Sequence, residues 1–250
     1  MPCKAWALMT EAAVYLQPAF ILQQRKYRET SLIIDMLTRD FGRISLLAKG
    51  VRAAKSKTAG LLQAFIPLSV SYAGKAELKT LSHVEVRQSF KDLKGLALYC
   101  GFYINELVSC FLHKYDPHPE VFNYYDECLS ALADGINIEP VLRLFELRLM
   151  DSAGYGLQLD YDHEQKPVEA LKKYDFKAGW GAVEARDGRF SGKTLLALSA
   201  KELSDSQVLS EAKILMRNVI DDYLQGKPLK SRAVINKVIA ATQAKEIERK

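Results

Sequence analysis

The chain has 250 residues, of which 48% are hydrophobic and 26% are charged, proportions typical of an ordinary globular protein. No run of about 18 apolar residues occurs, which argues against a membrane span, and Glu11 interrupts the N-terminal segment, which argues against a signal peptide. Four cysteines without a C-x-x-C pair indicate buried thiols in a reducing compartment, so we expect a cytoplasmic protein.

The net charge of +5 at pH 7 conceals a strong segregation along the chain. Residues 1–94 carry +8, residues 95–165 carry −9 and residues 166–250 carry +6. No acidic residue occurs from Phe41 through Ala76, although six cations do. Such segregation predicts a directed electrostatic surface on the N-terminal part of the protein, suited to a negatively charged partner.

The region from about Ala19 to Val86 is predicted to form a β-barrel. Five short β-rich stretches follow one another there, separated by turns and with no long helix among them. Pro67 favours an edge or a bulge over a central position in a strand. A small closed or partly open barrel is the most economical arrangement, because closure removes exposed strand edges.

From about residue 93 the apolar residues recur three and four positions apart, which is typical of helices. This pattern predicts a mainly helical second part, with loops and a short hairpin at residues 155–192. The fold class is therefore α+β, an N-terminal β-barrel followed by a mainly α-helical domain. The expected segments are an N-terminal extension at 1–16, a barrel at 17–90 and a helical domain at 91–250.

Motifs that would indicate an enzyme fail on their spacing. The stretch "GRFSGKT" resembles the end of a phosphate-binding loop, but only three residues separate Gly188 from Gly192, and Asp187 stands where the pattern requires glycine. His113 and His118 have a proline between them and cannot share one helix face as a metal-binding pair. We therefore expect a protein that is not an enzyme and needs no metal or cofactor.

The basic part of the predicted barrel has the composition of a nucleic-acid-binding surface. Small barrels hold single strands through cations along a groove and through rings on which bases stack. The aromatic candidates are Tyr27, Phe41, Phe65 and Tyr72, of which the last three are also candidate core residues. The cationic candidates are Arg25, Lys26, Arg28, Arg39, Arg43, Lys49, Arg52, Lys55, Lys57 and Lys75.

Several stretches resemble the RecO family of recombination and repair mediators. They are "ETSLIIDMLTRDFGRISLLAKGVR", "GLLQAFIPLSVSY", "LYCGFYINELV", "RLFELRLMDSAGYG" and "GKPLKSR". The resemblance runs from about Phe20 to Arg232, so that residues 1–16 lie outside it. It implies an OB-fold barrel before a helical domain, together with a cytoplasmic, nucleoid-associated protein.

For function, the resemblance implies binding to single- and double-stranded DNA and annealing of complementary strands. It also implies partnership with RecR and with the single-stranded-DNA-binding protein (SSB), which together help to load RecA. An RNA-binding OB-fold protein is the alternative function, and a preference for ribose in competition binding would distinguish the two.

Three further expectations depend on the resemblance. The family binds the acidic, Phe-ended tail of SSB on its helical domain, and the matching position here is Arg143, while a second basic position of the family corresponds to Ser210. Many relatives carry a four-cysteine zinc site where residues 155–192 contain no cysteine, so we expect no zinc. The segment "GKPLKSR", with Lys227, Lys230 and Arg232, is either an extension of the DNA path or a helix–helix connector.

Overall fold

The computed structural model describes residues 13–53, 56, 58–135 and 137–247. The strands are β1 (Ala13–Tyr27), β2 (Ser31–Thr38), β3 (Gly42–Ala48), β4 (Leu68–Ala73), β5 (Leu78–Val86), β6 (Lys173–Lys177), β7 (Gly181–Glu184) and β8 (Phe190–Ser191). The helices are α1 (Gly95–Phe111), α2 (Pro119–Ala133), α3 (Ile138–Ser152), α4 (Gly192–Ala200), α5 (Ser206–Tyr223) and α6 (Lys230–Ile247). The predicted α+β fold, with a barrel before the helices, is confirmed.

The first five strands form a closed barrel in the order β1-β2-β3-β5-β4. Neighbouring strands are antiparallel except for β3 and β5, which are parallel and pair from Ser45 with Leu78 to Leu47 with Thr80. This is a five-stranded barrel of the OB type. Pro67 directly precedes β4, and its carbonyl accepts from the amide of Arg87 at 2.8 Å.

Alternate residues of each strand point into the barrel, and the residues that do so are apolar. On β2 the inward residues are Ile34 and Met36, and on β3 they are Ile44 and Leu46, all four almost fully buried. β1 begins at Ala13, four residues before the expected start of the barrel segment at residue 17.

A β-bulge in β1 determines how the barrel meets α1. The register between β1 and β2 shifts between Ile21 and Gln23, which makes Leu22 an extra residue. The side-chain amide of Asn105 on α1 donates to the carbonyl of Leu22 at 2.9 Å and to that of Ile21 at 3.3 Å. Tyr125 of α2 donates in turn to Asn105 Oδ1. The buried carbonyls of the bulge are therefore satisfied by Asn105 of α1, which is itself hydrogen-bonded to Tyr125 of α2.

The outer face of β1 is also covered by α2. Phe20 points away from the barrel interior and is 1% exposed. Its ring centroid lies 5.2 Å from that of Phe122 and 5.0 Å from that of Tyr125. The barrel thus has two apolar layers, one inside it and one between its outer face and α2.

Gly42 marks a close approach between the β2–β3 turn and the segment before α2. Its φ angle is +65°, and a Cβ atom there would lie only 2.2 Å from the carbonyl oxygen of Asp116. A larger residue would have to displace this backbone, so glycine is required at the position.

The contacts divide the chain into two compact units. One contains the barrel, α1, α2 and α6, and the other is Gly135–Lys230. The expected end of the barrel segment, residue 90, lies between the end of β5 at Val86 and the start of α1 at Gly95. The contacts nevertheless place α1 and α2 in the same unit as the barrel.

In the second unit, α5 packs against α3 and α4, and the strands form a small sheet in the order β7-β6-β8. The sheet falls within the predicted loop and hairpin region at 155–192, whereas the nine-residue helix α4 was not expected from the sequence. No helix among the described residues is long and apolar enough to cross a membrane.

Candidate nucleic-acid interface

Five of the predicted cations lie at the end of β1, in the β1–β2 turn and in the adjoining loop that follows β3. The amide of Arg52 donates to the carbonyl of Thr30 at 2.9 Å, and its guanidinium donates to the carbonyl of Arg28 at 3.2 Å. These bonds hold the loop against the turn. The resulting turn cluster consists of five exposed side chains: Arg25, Lys26, Arg28, Lys49 and Arg52.

One of the four aromatic candidates, Tyr27, lies beside the turn cluster. Arg28 Cζ lies 5.3 Å from the centroid of the Tyr27 ring, within the range of a cation–π contact. Tyr72 is instead part of the barrel core, with Phe41 packed edge-on against it at 6.2 Å. Phe65 packs edge-on against Phe102. Only Tyr27 is therefore placed beside the clustered cations.

Two acidic side chains limit where a polyanion can lie. Glu29 is exposed in the β1–β2 turn itself. Asp35, farther along β2, accepts hydrogen bonds from Ser45 at 2.5 Å and Gln23 at 2.7 Å. Burial raises the pKa of Asp35, but the two bonds together with the charges of Lys114 and Arg25 outweigh burial and hold the pKa below its ordinary value, so the side chain is ionised at neutral pH. The middle of the β1–β2–β3 face therefore carries a carboxylate.

Three other predicted cations lie away from the turn cluster. Arg39 is exposed in the β2–β3 turn, at the far end of β2, and pairs with Asp40 at 3.1 Å. Lys75 is exposed in the β4–β5 turn. Lys55 and Lys57 fall outside the described residues.

Arg43, the remaining predicted cation of the barrel, is half-buried and hydrogen-bonded to backbone carbonyls. Its Nη1 donates to the carbonyl of Ser109 at 2.5 Å and to that of Leu112 at 2.7 Å. Burial lowers the pKa of Arg43, with the Asp35 carboxylate opposing that shift. Because the last carbonyls of a helix have no intrahelical donor, the guanidinium serves here as a C-terminal cap for α1.

The basic segment "GKPLKSR" begins the last helix. Lys227 and Lys230 are exposed, whereas Arg232 is half-buried, with its Cζ 5.6 Å from the Tyr103 ring centroid. Ser231 donates from both its amide and its hydroxyl to Glu106 Oε2, at 2.9 and 2.6 Å. At Ser231 and Arg232 the segment therefore attaches α6 to α1.

Arg143, the predicted contact for the SSB tail, is a buried residue of α3. It is 8% exposed and forms an ion pair with Glu146, one turn farther along the helix. Its Nε has no hydrogen-bond partner among the residues that the structure describes. Ser210 is exposed on α5.

The stretch resembling a phosphate-binding loop is the start of α4. Ser191 caps the helix by accepting from the amide of Thr194 at 3.2 Å. Glu211 Oε2 accepts from the amide of Ser191 at 2.7 Å and from its hydroxyl at 2.8 Å. A carboxylate thus lies at the helix N-terminus where a phosphate-binding loop would hold its anion.

Cys100 and Cys128 are buried and Cys110 is half-buried, while Cys3 lies outside the described residues. Within the described ranges, no group of three or more His, Cys, Asp or Glu side chains is arranged to hold a metal ion. The absence of zinc stays a prediction that elemental analysis can check.

Two family models match the chain in succession. They are "Recombination protein O N terminal" over residues 9–90 and "Recombination protein O C terminal" over residues 93–233. The chain belongs to the recombination protein O family. The match starts at residue 9, so the resemblance reaches into the segment that was expected to lie outside it.

Individual RecO proteins are similar over most of their length. The DNA repair protein RecO of Methylococcus capsulatus is 41% identical over 235 residues, which is 93% of this chain and 97% of that protein. The RecO protein of Coxiella burnetii is 42% identical over 228 residues, 89% of this chain and 98% of its own. That of Nitrosospira multiformis is 40% identical over 226 residues, 88% and 93% respectively. The family assigns the chain to DNA repair and recombination.

Proposed function

We propose that the protein is a non-catalytic mediator of recombinational DNA repair that binds single- and double-stranded DNA and anneals complementary strands. With RecR and SSB, it would help to load RecA onto the DNA. The nucleoid is where such a protein would act. The observation that carries the proposal is the turn cluster on a closed OB-type barrel, in a chain that belongs to the RecO family.

The position of the turn cluster suits a single strand. OB-fold proteins bind oligonucleotides on the face of their second and third strands and through the loop between the first and second strands. Here the β1–β2 turn contains Arg28, and Arg52 of the loop after β3 is hydrogen-bonded to that turn. The negative charge of Asp35 would repel phosphates from the middle of the face. We therefore expect the DNA backbone to follow the turn cluster.

Annealing follows from the same electrostatics. Two complementary strands repel each other, and a surface that neutralises phosphates on both lowers this repulsion and raises their local concentration. No bond is broken in the process, so neither nucleotide hydrolysis nor a metal ion is required.

The deciding experiment is annealing of two complementary DNA oligonucleotides, one bearing a fluorophore and the other a quencher, without nucleotide or metal. We expect the protein to accelerate annealing, both for naked strands and for strands coated with SSB. A rate equal to the spontaneous one would refute the proposal. Competition by RNA of the same sequence that exceeds competition by DNA would support the RNA-binding alternative instead.

A further inference from the structure

The hairpin of β6 and β7 presents a tryptophan to solvent. Lys177 and Gly181 are the last cross-strand pair, and residues 178–180 form the loop between them. The amide of Trp180 donates to the carbonyl of Lys177 at 3.1 Å, which closes the loop. Trp180 is 71% exposed. A large aromatic side chain left in water on a tight loop requires an explanation, because burying it is strongly favourable.

The residues around Trp180 leave its ring uncovered. Ala178 and Gly179 precede it and Gly181 follows it, so no neighbour in the loop has a side chain long enough to pack over the indole. Gly179 and Gly181 have φ angles of +76° and +88°, which larger residues rarely adopt. The loop geometry thus selects small residues on both sides of the tryptophan.

The sheet behind the loop is firmly packed. Tyr174 of β6 is 1% exposed, and its hydroxyl accepts from the amide of Glu169 at 2.9 Å. Ala182 of β7 and Phe190 of β8 are also buried. Because the strands that carry the loop are anchored, the exposed indole is held by a rigid support.

Lys177, the residue of β6 nearest the loop, is exposed and makes no ion pair with any residue that the structure describes. Lys173, Arg186 and Arg189 are also exposed and without an ion pair in the described part of the chain, but they lie farther from the loop, beside residues 173–175 of β6. Of the nearby acids, Glu184 pairs with Lys172 at 3.1 Å, Asp175 accepts from the amide of Arg189, and Asp187 is exposed. Lys177 is the last residue of β6 before the loop, and its carbonyl accepts from the amide of Trp180.

We infer that the Trp180 hairpin is a second nucleic-acid contact, in which the indole stacks on an unpaired base and Lys177 neutralises an adjacent phosphate. Exposed aromatic rings combined with cations are the recurring way in which proteins hold single strands without reading their sequence. A purely apolar protein partner is disfavoured by the unpaired charge of Lys177 next to the loop. The inference rests on the proposed function for its polymer, but it concerns a separate part of the chain.

The test uses the intrinsic fluorescence of the tryptophan in the full-length chain. The sequence contains two tryptophans, Trp6 and Trp180, so Trp6→Phe leaves Trp180 as the single emitter. This variant is titrated with oligothymidylate and with an abasic strand of the same length, while fluorescence anisotropy of a strand-bound dye reports binding independently. We expect oligothymidylate to quench Trp180 emission and the abasic strand to bind with little quenching.

Substitutions then separate stacking from folding. Trp180→Ala should weaken oligothymidylate binding roughly tenfold and leave abasic binding within about twofold, since only bases stack. Leu171→Ala is the matched control, because Leu171 is fully exposed in the same unit but has no ring, and it should change neither affinity. Lys177→Gln should weaken both strands alike.

Two results would overturn the inference and can be told apart from failure of the proposed function. If both strands bind by anisotropy but Trp180 emission is unchanged, or if Trp180→Ala weakens both strands equally, the indole is not a stacking platform although DNA binding survives. If neither strand binds at all, the proposed function and the inference fail together.

Discussion

Arg143 is positioned to bind a carboxylate, and it already does so within its own helix. It is nearly buried and is paired with Glu146, yet its Nε has no hydrogen-bond partner among the residues described. An incoming anionic peptide would compete with Glu146 for the guanidinium. At the proposed SSB-tail site, the carboxylate of Glu146 would therefore set the affinity of Arg143 for a carboxylate of the peptide.

This competition predicts opposite effects from two substitutions. Arg143→Ala should weaken binding of an acidic, Phe-ended peptide roughly tenfold or more, because a charge-assisted hydrogen bond is lost. Glu146→Gln should strengthen binding, because the competing charge is removed while the side-chain shape is kept. Anisotropy of a labelled peptide measures both, and DNA affinity should stay constant in each variant.

The assignment fails if the two variants bind the peptide as the unmodified chain does. Because Arg143→Ala leaves a buried carboxylate without its arginine, thermal denaturation is needed beside it. A peptide affinity that changes only in unfolded samples would count against Arg143 as a binding residue.

At the scale of elements, the β1–β2 turn and the loop after β3 act together. Each contributes some of the cations, and the bonds from Arg52 to Thr30 and Arg28 hold them in one place. In the β2–β3 turn, by contrast, Arg39 is paired with Asp40, and Gly42 lies close to the backbone of Asp116. The two ends of β2 therefore differ in the charge that they offer to a ligand.

This difference predicts the salt dependence of DNA binding. If all five cations of the turn cluster contact phosphates, they contribute about 3.5 to the slope of log affinity against log salt for a single strand. Replacing all five with glutamine should flatten the slope by about that amount. Binding of a labelled oligonucleotide, titrated at several salt concentrations, measures it.

The control for this experiment comes from the other end of β2. Arg39→Gln combined with Lys75→Gln removes two exposed cations but should leave the slope nearly unchanged. Arg43→Met should lower the free energy of unfolding by about 1–3 kcal/mol, since α1 loses its cap, again with the slope intact. A slope that follows Arg39, Lys75 or Arg43 instead of the turn cluster would contradict the assigned interface.

At the scale of the molecule, the barrel depends on the first two helices. Phe20, Leu22 and Leu37 of the barrel strands are at most 4% exposed but lie outside the barrel core cluster. The bulge at Leu22 also relies on Asn105 for a hydrogen-bond donor. The strands alone would expose this second apolar layer to water.

We therefore predict that a fragment of residues 1–90 is much less stable than one of residues 1–134. Exposing three large apolar side chains costs on the order of 5 kcal/mol, which is comparable to the whole stability of a small domain. Circular dichroism during heating should show a cooperative transition for the longer fragment and none, or one at a far lower temperature, for the shorter. Equal transition temperatures would show that the barrel is independent of α1 and α2.

The sequence alone was sufficient for the class of fold, because that depends on local periodicity. Short β-rich stretches between turns identified the barrel strands, three-and-four spacing identified most helices, and the acid-free stretch from Phe41 to Ala76 indicated a basic barrel. The family resemblance was also legible in the sequence. Helix α4 was not predicted, because nine residues after a polar region give a weak periodic signal. The exposure of Trp180 was not predicted either, although its flanking glycines in "KAGWGA" indicate an exposed turn.

Only the tertiary structure decided which cations lie together. Arg52 meets Thr30, and Arg43 caps a helix whose carbonyls are 66 and 69 residues away, through contacts that depend on strand register and barrel closure. Neither of these is encoded in the spacing of charged residues along the chain, because a barrel brings distant segments side by side. Cations of one acid-free stretch therefore have different places in the structure: Lys49 and Arg52 are exposed in the turn cluster, whereas Arg43 joins the barrel to α1.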